Sequence, residues 1–167
     1  MKKRIFLDTN IVIDYLSKRM PFSEDALRIF SLPPRYYQLC ISALSFTTIY
    51  YVLKKHFKQE ELLYKLDILQ NLVEVLPTDN EMISSAIHSE FTDFEDAVQY
   101  YTALKGNSSI IITRNPKDFR RSEIPVYTPK EFLQIPYFWS EDSGTMMVNE
   151  PMVEYRRHGS NMSNSNE

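Results

Sequence analysis

Residues 92–119 read TDFEDAVQYYTALKGNSSIIITRNPKDF, and this segment gives the clearest indication of the fold class. Thr92 is followed three residues later by Glu95, a capping-box pattern that predicts the start of a helix. That helix should end at Gly106, which suits the C′ position. Residues 109–112 then hold three consecutive isoleucines between polar flanks, as expected for a strand buried on both faces of a parallel sheet. The stretch therefore predicts a helix that leads directly into a buried parallel strand.

The rest of the chain alternates in the same way. The hydrophobic pattern predicts strands over residues 3–7, 38–42, 73–76, 109–112 and 124–127. It predicts helices over 11–16, 23–31, 43–57 and 59–72, further helices opening at Thr78 and Thr92, and a short one at Thr128-Pro129. Strands separated by helices, and not by hairpin turns, indicate right-handed crossovers. We therefore expect an α/β fold with a mainly parallel sheet.

Length and composition bound the class of protein. The 167 residues suit one domain, and a single cysteine excludes an intrachain disulfide. We expect a folded domain over residues 1–135 and an extension over 136–167, with the last ten or so residues disordered. No apolar run approaches the roughly 20 residues that cross a bilayer, and the N-terminus lacks a secretory apolar region. The sequence predicts a cytoplasmic protein without a membrane partner.

The net charge of −3 belongs to the extension. Residues 136–167 hold 5 acidic and 2 basic side chains, whereas residues 1–135 hold 17 of each. The acidic total therefore does not argue against a nucleic-acid ligand for the folded domain.

Polar residues collect where the strands of the predicted sheet end. They are Asp8 and Asn10 after the first strand, Asp93 and Asp96 at the start of a helix, and Thr113, Asn115 and Asp118 after the isoleucine strand. Ligands of open α/β sheets bind at the carboxyl ends of the strands. Carboxylates that converge there repel one another unless a cation lies between them, and oxygen donors without Cys or His suit Mg²⁺ or Mn²⁺.

Taken singly, each of these residues has a structural explanation. Asp8-Thr9-Asn10 is a natural strand-to-helix cap with Thr9 or Asn10 at the N-cap. Asp93 and Glu95 suit a helix N-terminus, and Asn115-Pro116 is an ordinary turn signal. The combination in this order is more specific than any part of it.

Three segments together resemble a PIN domain: Leu7-Asp8-Thr9-Asn10, Asp93-Phe94-Glu95-Asp96-Ala97 and Ile112-Thr113-Arg114-Asn115-Pro116-Lys117-Asp118-Phe119. The resemblance covers about residues 3–135. It implies a three-layer α/β/α fold and a ribonuclease that depends on magnesium or manganese. Many members are the toxin of a VapC-type toxin–antitoxin pair, so it also implies an antitoxin-like protein partner and a homodimer.

The resemblance assigns roles to individual residues. Asp8, Asp96 and Asp118 would be catalytic, and these three with Asp93 would bind the metal. Asn10, Thr48, Thr113 and Asn115 would support the carboxylates. The family usually has a glutamate on the helix after its second strand, but residues 41–51 contain no acid, and Thr48 takes that position.

Basic residues near these segments are candidates for contacts with RNA phosphates. They are Arg114, Lys54 and Lys55. A surface salt bridge explains Arg114 equally well, and a solvated face is the preferred explanation for the lysines.

Three hypotheses for the function follow. The first is the metal-dependent ribonuclease, and the second is a PIN-like module that binds RNA or protein without cutting. The third is a phosphotransferase or phosphatase with Asp8 as nucleophile, which is weakened because Asn10 stands where such enzymes commonly have a second aspartate.

Overall fold

The computed structural model describes residues 2–135, together with the backbone of residues 137–139 and 146–148. In chain order the elements of the first part are β1 (Lys3–Leu7), α1 (Thr9–Ser17), α2 (Ser23–Phe30), β2 (Tyr37–Ser42), α3 (Ala43–Leu53), α4 (Gln59–Leu72), β3 (Glu74–Leu76), α5 (Asn80–Ile87), α6 (Phe94–Lys105), β4 (Ile110–Ile112), a 3₁₀ helix (Pro116–Phe119), β5 (Val126–Tyr127) and α7 (Pro129–Gln134). The alternation of strands and helices predicted from the sequence is confirmed.

The five strands form one sheet in the order β3-β2-β1-β4-β5, and every pair is parallel. The chain extends the sheet in one direction from β1 through β2 to β3, and in the other through β4 to β5. The order therefore reverses between β1 and β4, and a crevice opens beyond the carboxyl ends of these two strands.

Helices cover both faces of the sheet. Phe6, Cys40 and Ile111 share one buried cluster with Tyr100 and Ala103 of α6, so alternate strand residues such as Ile5 and Leu7 point to the opposite face. Helix α5 packs on α6, while α1 packs on α2 and α3, α3 on α4, and α2 on α7. This is the expected three-layer α/β/α arrangement.

Two helix N-termini differ from the prediction. The capping-box pattern places Thr78 and Thr92 at the N-cap, but the N-caps are Asp79 and Asp93. One carboxylate oxygen of each accepts hydrogen bonds from the second and third amides of its helix. An acidic acceptor at that position satisfies two unpaired amides and also complements the helix dipole.

The C-terminal boundaries differ as well. Helix α3 ends at Leu53 and not at Phe57, because the amides of His56 and Phe57 both bond to the Leu53 carbonyl in a turn toward α4. Gly106 is the C-cap of α6 with a φ of −74°, and Asn107 is the residue in the left-handed region, with a φ of 52°.

The chain has two compact units, residues 1–134 and residues 135–167. In the second unit, β6 (Tyr137–Trp139) and β7 (Met146–Val148) pair as antiparallel strands. The predicted disorder of the last ten residues concerns residues that lie outside the described part. Within the described part, no helix combines the length and apolar character needed to span a bilayer.

Candidate active site

Asp8 lies at the carboxyl end of β1, at the point where the strand order reverses. Its backbone amide donates to the carbonyl of Ile112 at 2.9 Å, which ties the end of β1 to the end of β4. The residue is 2% exposed and forms the N-cap of α1. The predicted cap is therefore present, with Asp8 and not Thr9 or Asn10 in the N-cap position.

Four hydrogen bonds fix the carboxylate of Asp8. Thr113 Oγ1 donates at 2.7 Å and Gln99 Nε2 at 3.1 Å, while the backbone amide and the side-chain amide of Asn10 donate at 3.3 and 3.2 Å. These donors orient both oxygens and stabilise their negative charge. The contacts from Asn10 are the longest, so they are the ones that a ligand of Asp8 would replace most easily.

A buried polar network continues from Asp8 into the helices. Gln99 accepts from the backbone amide of Thr9 at 3.1 Å, and its oxygen lies 3.2 Å from the Thr9 hydroxyl. The Thr9 hydroxyl is also 3.0 Å from that of Ser45. Gln99 therefore links α6, the helix that also carries Asp96, to the end of β1. Through Thr9 it also links α6 to the start of α3.

Asp96 stands among like charges. Burial raises its pKa to about 7, and the carboxylates of Asp8, Asp93, Asp118 and Glu95 act in the same direction. All four acids that the sequence selects therefore share one electrostatic neighbourhood. Proximity to a cation would relieve this repulsion, because an opposite charge favours the ionised form of a carboxyl group.

Asp93 and Asp118 have partners of their own. Asp93 is exposed, and one oxygen of its carboxylate caps α6. Asp118 accepts a hydrogen bond from the side chain of Asn115, whose backbone amide in turn bonds to Thr113 Oγ1 at 3.1 Å. Asn115 therefore joins Asp118 to the residue that holds Asp8.

Arg114 points toward α1 and α2. Its guanidinium donates to Asn10 Oδ1 at 3.1 Å and lies 4.8 Å from the ring centre of Phe22. Arg114 Nε is 3.3 Å from Oδ2 of Asp14, which is 1% exposed and has no well-aligned hydrogen bond from the described residues. Burial raises the pKa of Asp14, although Arg114 and Arg19 oppose that effect. Arg114, a candidate from the sequence for contact with RNA phosphates, therefore already interacts with Asn10 and Asp14 within the protein.

Lys54 and Lys55 lie at the other end of α3. Six residues of helix separate Lys54 from Thr48, an axial distance of about 9 Å. Lys54 Nζ lies 4.3 Å from the ring centre of Tyr51. These lysines are not brought to the carboxylates.

The donor set fits a divalent cation in chemistry, with Asp8 and Asp96 as the residues that would hold it. Every acidic group of the neighbourhood offers hard oxygen donors, and the excess of negative charge around Asp96 favours a cation. In the arrangement described for residues 2–135, no three acidic, histidine or cysteine side chains already stand around a common metal position.

Three residues of this site are missing from the sequence prediction. Gln99 follows Asp96 by three residues and Glu95 by four, a helical spacing that marks one face and was available as a signal. Asp14 lies on the apolar face of α1, where a charged residue among Ile11, Val12 and Ile13 signals a buried partner. Glu95 has no comparable signal, because an acid in the first turn of a helix is ordinary.

Comparison with known proteins identifies a family. A family model described as PIN domain matches residues 4–117. The fold resembles that of the DNA-bound VapBC complex from Salmonella typhimurium, with a TM-score of 0.61, 23% identity, and coverage of 77% of this chain and 99% of that one. A toxin–antitoxin complex from Klebsiella pneumoniae gives a TM-score of 0.57 at 25% identity, covering 75% of this chain and 97% of that one.

A third similar structure is that of VapC20 of Mycobacterium tuberculosis, a toxin that cleaves the sarcin–ricin loop. It has a TM-score of 0.54 and 16% identity, and the alignment covers 64% of this chain and 86% of that one. A search of curated protein sequences finds no match.

Proposed function

The chain belongs to the PIN-domain family, and we propose that it is a metal-dependent ribonuclease that acts in the cytoplasm. The observation that carries the proposal is the environment of Asp96. Its pKa is raised to about 7 by burial and by four neighbouring carboxylates. Carboxylates placed close together at the carboxyl ends of the strands repel one another and destabilise the fold, unless a cation or a proton neutralises part of their charge.

Asp8 and Asp96 would hold the ion. When bound, Mg²⁺ or Mn²⁺ would lower the pKa of a coordinated water and polarise the scissile phosphate. Thr113 and Gln99 fix the orientation of the Asp8 carboxylate, because both donate hydrogen bonds to it inside the protein. Asp118, which accepts a hydrogen bond from Asn115, would orient the attacking water or bind a second ion.

A polar groove beside Asp118 supports RNA as the substrate. It has a volume of about 560 Å³ and is lined by Glu90, Phe91, Thr92, Lys117, Asp118, Arg120 and Arg121. Arg121 pairs with Glu90 at 3.0 Å, while Lys117 and Arg120 are exposed. We propose that Lys117 and Arg120 contact the phosphates next to the cleaved bond.

The test is cleavage of single-stranded and structured RNA with Mn²⁺, with Mg²⁺ and with EDTA. Wild-type protein should cleave only with metal, and Asp8→Asn and Asp96→Asn should each lose at least about a hundredfold in rate, since both remove a charge from the metal site. Asp67→Asn, an exposed aspartate on α4, is the matched control and should retain wild-type activity. Equal rates in all four proteins would contradict the nuclease proposal.

A second candidate function is an RNA-binding module that does not cut. Asp8 favours it, because its carboxylate already has four hydrogen-bond donors and serves as a helix cap. Under this alternative, RNA binds equally well with EDTA and with Mn²⁺, and no product appears with either metal.

We also propose an antitoxin-like protein partner and a homodimer. Several solved relatives are toxin–antitoxin complexes, and this chain exposes an apolar groove of about 610 Å³ between α1, α2 and α4. Leu27 and Ile68 line it and are 54% and 40% exposed. Leu27→Asp should prevent complex formation with a co-expressed candidate antitoxin, whereas Leu63→Asp, outside the groove, should not. Sedimentation analysis of the isolated chain tests the homodimer.

A further inference from the structure

We propose that Glu95 is the third carboxylate of the cation site, supplied from α6 across the crevice to Thr9 and Thr48. The inference rests on the proposed metal-dependent function and extends it to a residue with no role in the sequence prediction. Glu95 lies in the first turn of α6, where an acid needs no partner other than the helix N-terminus.

The direction of the side chain is the first observation. Glu95 is exposed as a residue, yet its Oε1 lies 3.4 Å from Oγ1 of Thr9, the residue next to Asp8. The Thr48 hydroxyl in the middle of α3 also acts on the Glu95 carboxylate and lowers its pKa. The side chain of this exposed residue is therefore directed from α6 toward the start of α1 and the middle of α3.

The second observation is the charge around this carboxylate. Asp93 and Asp96 lie within two residues of it on the same chain segment. None of the ion pairs among the described residues involves Glu95. A salt bridge within the described part therefore does not explain why Glu95 turns toward Thr9.

The hydroxyl that meets Glu95 belongs to Thr9, the neighbour of Asp8, and it is shared with other oxygens. The Thr9 hydroxyl that meets Glu95 is also within 3.0 Å of Ser45 and 3.2 Å of Gln99 Oε1. A hydroxyl has one proton, so it can donate to only one of these oxygens at a time. A cation near Asp8 would bind the Glu95 carboxylate more strongly than this shared hydroxyl does, and a small rotation of the Glu95 side chain would then complete the site.

Asp93 is the competing candidate for this role. Its carboxylate already caps α6 with two backbone amides, so binding a metal would break those bonds. Glu95 has no equivalent duty in the helix.

The experiment is a Mn²⁺ titration of the full chain, followed by thermal unfolding. A ligand that binds only the folded state raises the melting temperature as its concentration exceeds the dissociation constant. Glu95→Gln should shift the midpoint of this response to at least about tenfold higher Mn²⁺, and Glu60→Gln, an exposed glutamate on α4, should leave it unchanged. Without metal, Glu95→Gln should melt no lower than wild type, because it removes repulsion.

A double variant that moves the carboxylate from α6 to α3 makes the test more specific. Because the Thr48 hydroxyl acts on the Glu95 carboxylate, the double variant Thr48→Glu/Glu95→Gln should recover most of the lost Mn²⁺ affinity. A wild-type midpoint for Glu95→Gln, or no recovery in the double variant, would overturn the role of Glu95 alone. Absence of any Mn²⁺ response in wild type and Glu60→Gln would overturn the proposed metal-dependent function, and this inference with it.

Discussion

Individual carboxyl groups at the sheet edge differ in the partners that the fold gives them. Asp8 accepts four hydrogen bonds and is 2% exposed. Asp96 is half-buried, and burial together with repulsion from its neighbours raises its pKa to about 7. Asp96 therefore takes up a proton near neutral pH, and a cation beside it would favour the ionised form.

The raised pKa of Asp96 makes the stability of the metal-free protein depend on pH. Between the ordinary value of 3.8 and about 7, the folded state retains a proton that the unfolded state loses, so stability falls as pH rises through this window. Above about 7 the penalty is complete. Asp96→Asn should therefore melt about 5 °C higher than wild type at pH 8 and close to wild type at pH 4.

Circular dichroism melts in EDTA at several pH values would measure this difference. Asp67→Asn serves as the control and should follow wild type throughout. A constant difference between Asp96→Asn and wild type from pH 4 to pH 8 would contradict the assignment.

Arg114 and Asp14 form a second test at this scale. Removing Arg114 leaves the Asp14 carboxylate buried without its nearest cation, and an uncompensated buried charge is strongly destabilising. Arg114→Met should lower the melting temperature by about 5 °C at pH 8. The double variant Asp14→Asn/Arg114→Met should recover most of that loss, because it removes the unpaired charge. Purely additive losses in the double variant would show that the two side chains are not coupled.

At the scale of elements, the N-cap of α6 separates a structural from a metal-binding role for Asp93. Its carboxylate accepts from the amides of Glu95 and Asp96. Asp93→Ala should cost about 1 kcal/mol of stability through the lost cap, while Asp93→Ser keeps an acceptor and should cost less. Asp79→Ala at the N-cap of α5 is the matched control without a nearby site. Neither Asp93 variant should move the Mn²⁺ midpoint by more than about threefold, since a tenfold shift is expected for loss of a direct partner.

The elements were the part of the fold that the sequence predicted best. The alternation of apolar strands and amphipathic helices is local, so it predicted the parallel sheet and placed Asp8 and Thr113 at strand ends. The predicted N-caps were wrong because the threonine of each Thr-x-x-Glu pattern competes with the aspartate at the next position for the same helix amides. In both helices the aspartate accepts the hydrogen bonds. The position of Gly106 has a packing reason: a Cβ there would lie 2.4 Å from Leu76 Cδ1.

The site was predictable only in part, for a related reason. Strand order brings the ends of β1 and β4 together, so Asp8 and Thr113 follow from topology. The inward turn of Glu95, the bridging by Gln99 and the burial of Asp14 depend on the rotation of α6 and α1 about their axes and on neighbours distant in sequence. For Arg114 the sequence allowed both an RNA contact and a salt bridge, and the packing of α1 and α2 brings it to Asp14 and Phe22.

At the scale of the whole molecule, charge is distributed unevenly although residues 1–135 hold equal numbers of acidic and basic side chains. Acids gather at the crevice, so cations are in excess elsewhere. Two basic regions are candidates for RNA: the groove with Lys117 and Arg120, and the end of α3 with Lys54 and Lys55.

Salt dependence of RNA binding distinguishes these two regions. In EDTA, which prevents metal-dependent cleavage, Lys117→Gln/Arg120→Gln should weaken binding of single-stranded RNA and reduce the slope of log affinity against log salt by about 1.4. Lys54→Gln/Lys55→Gln removes the same charge and should leave the slope close to that of wild type. The opposite pattern would place the RNA at the end of α3.

The crevice carboxylates are proposed to form a cation site that includes Asp96. Isothermal titration of Mn²⁺ into the protein, in buffers with different ionisation enthalpies, measures both binding and the protons released. Because the Asp96 pKa is about 7, binding should release close to one more proton at pH 6 than at pH 8, and Asp96→Asn should lack this difference and bind more weakly. Proton release independent of pH, or equal binding by wild type and Asp96→Asn, would contradict the claim.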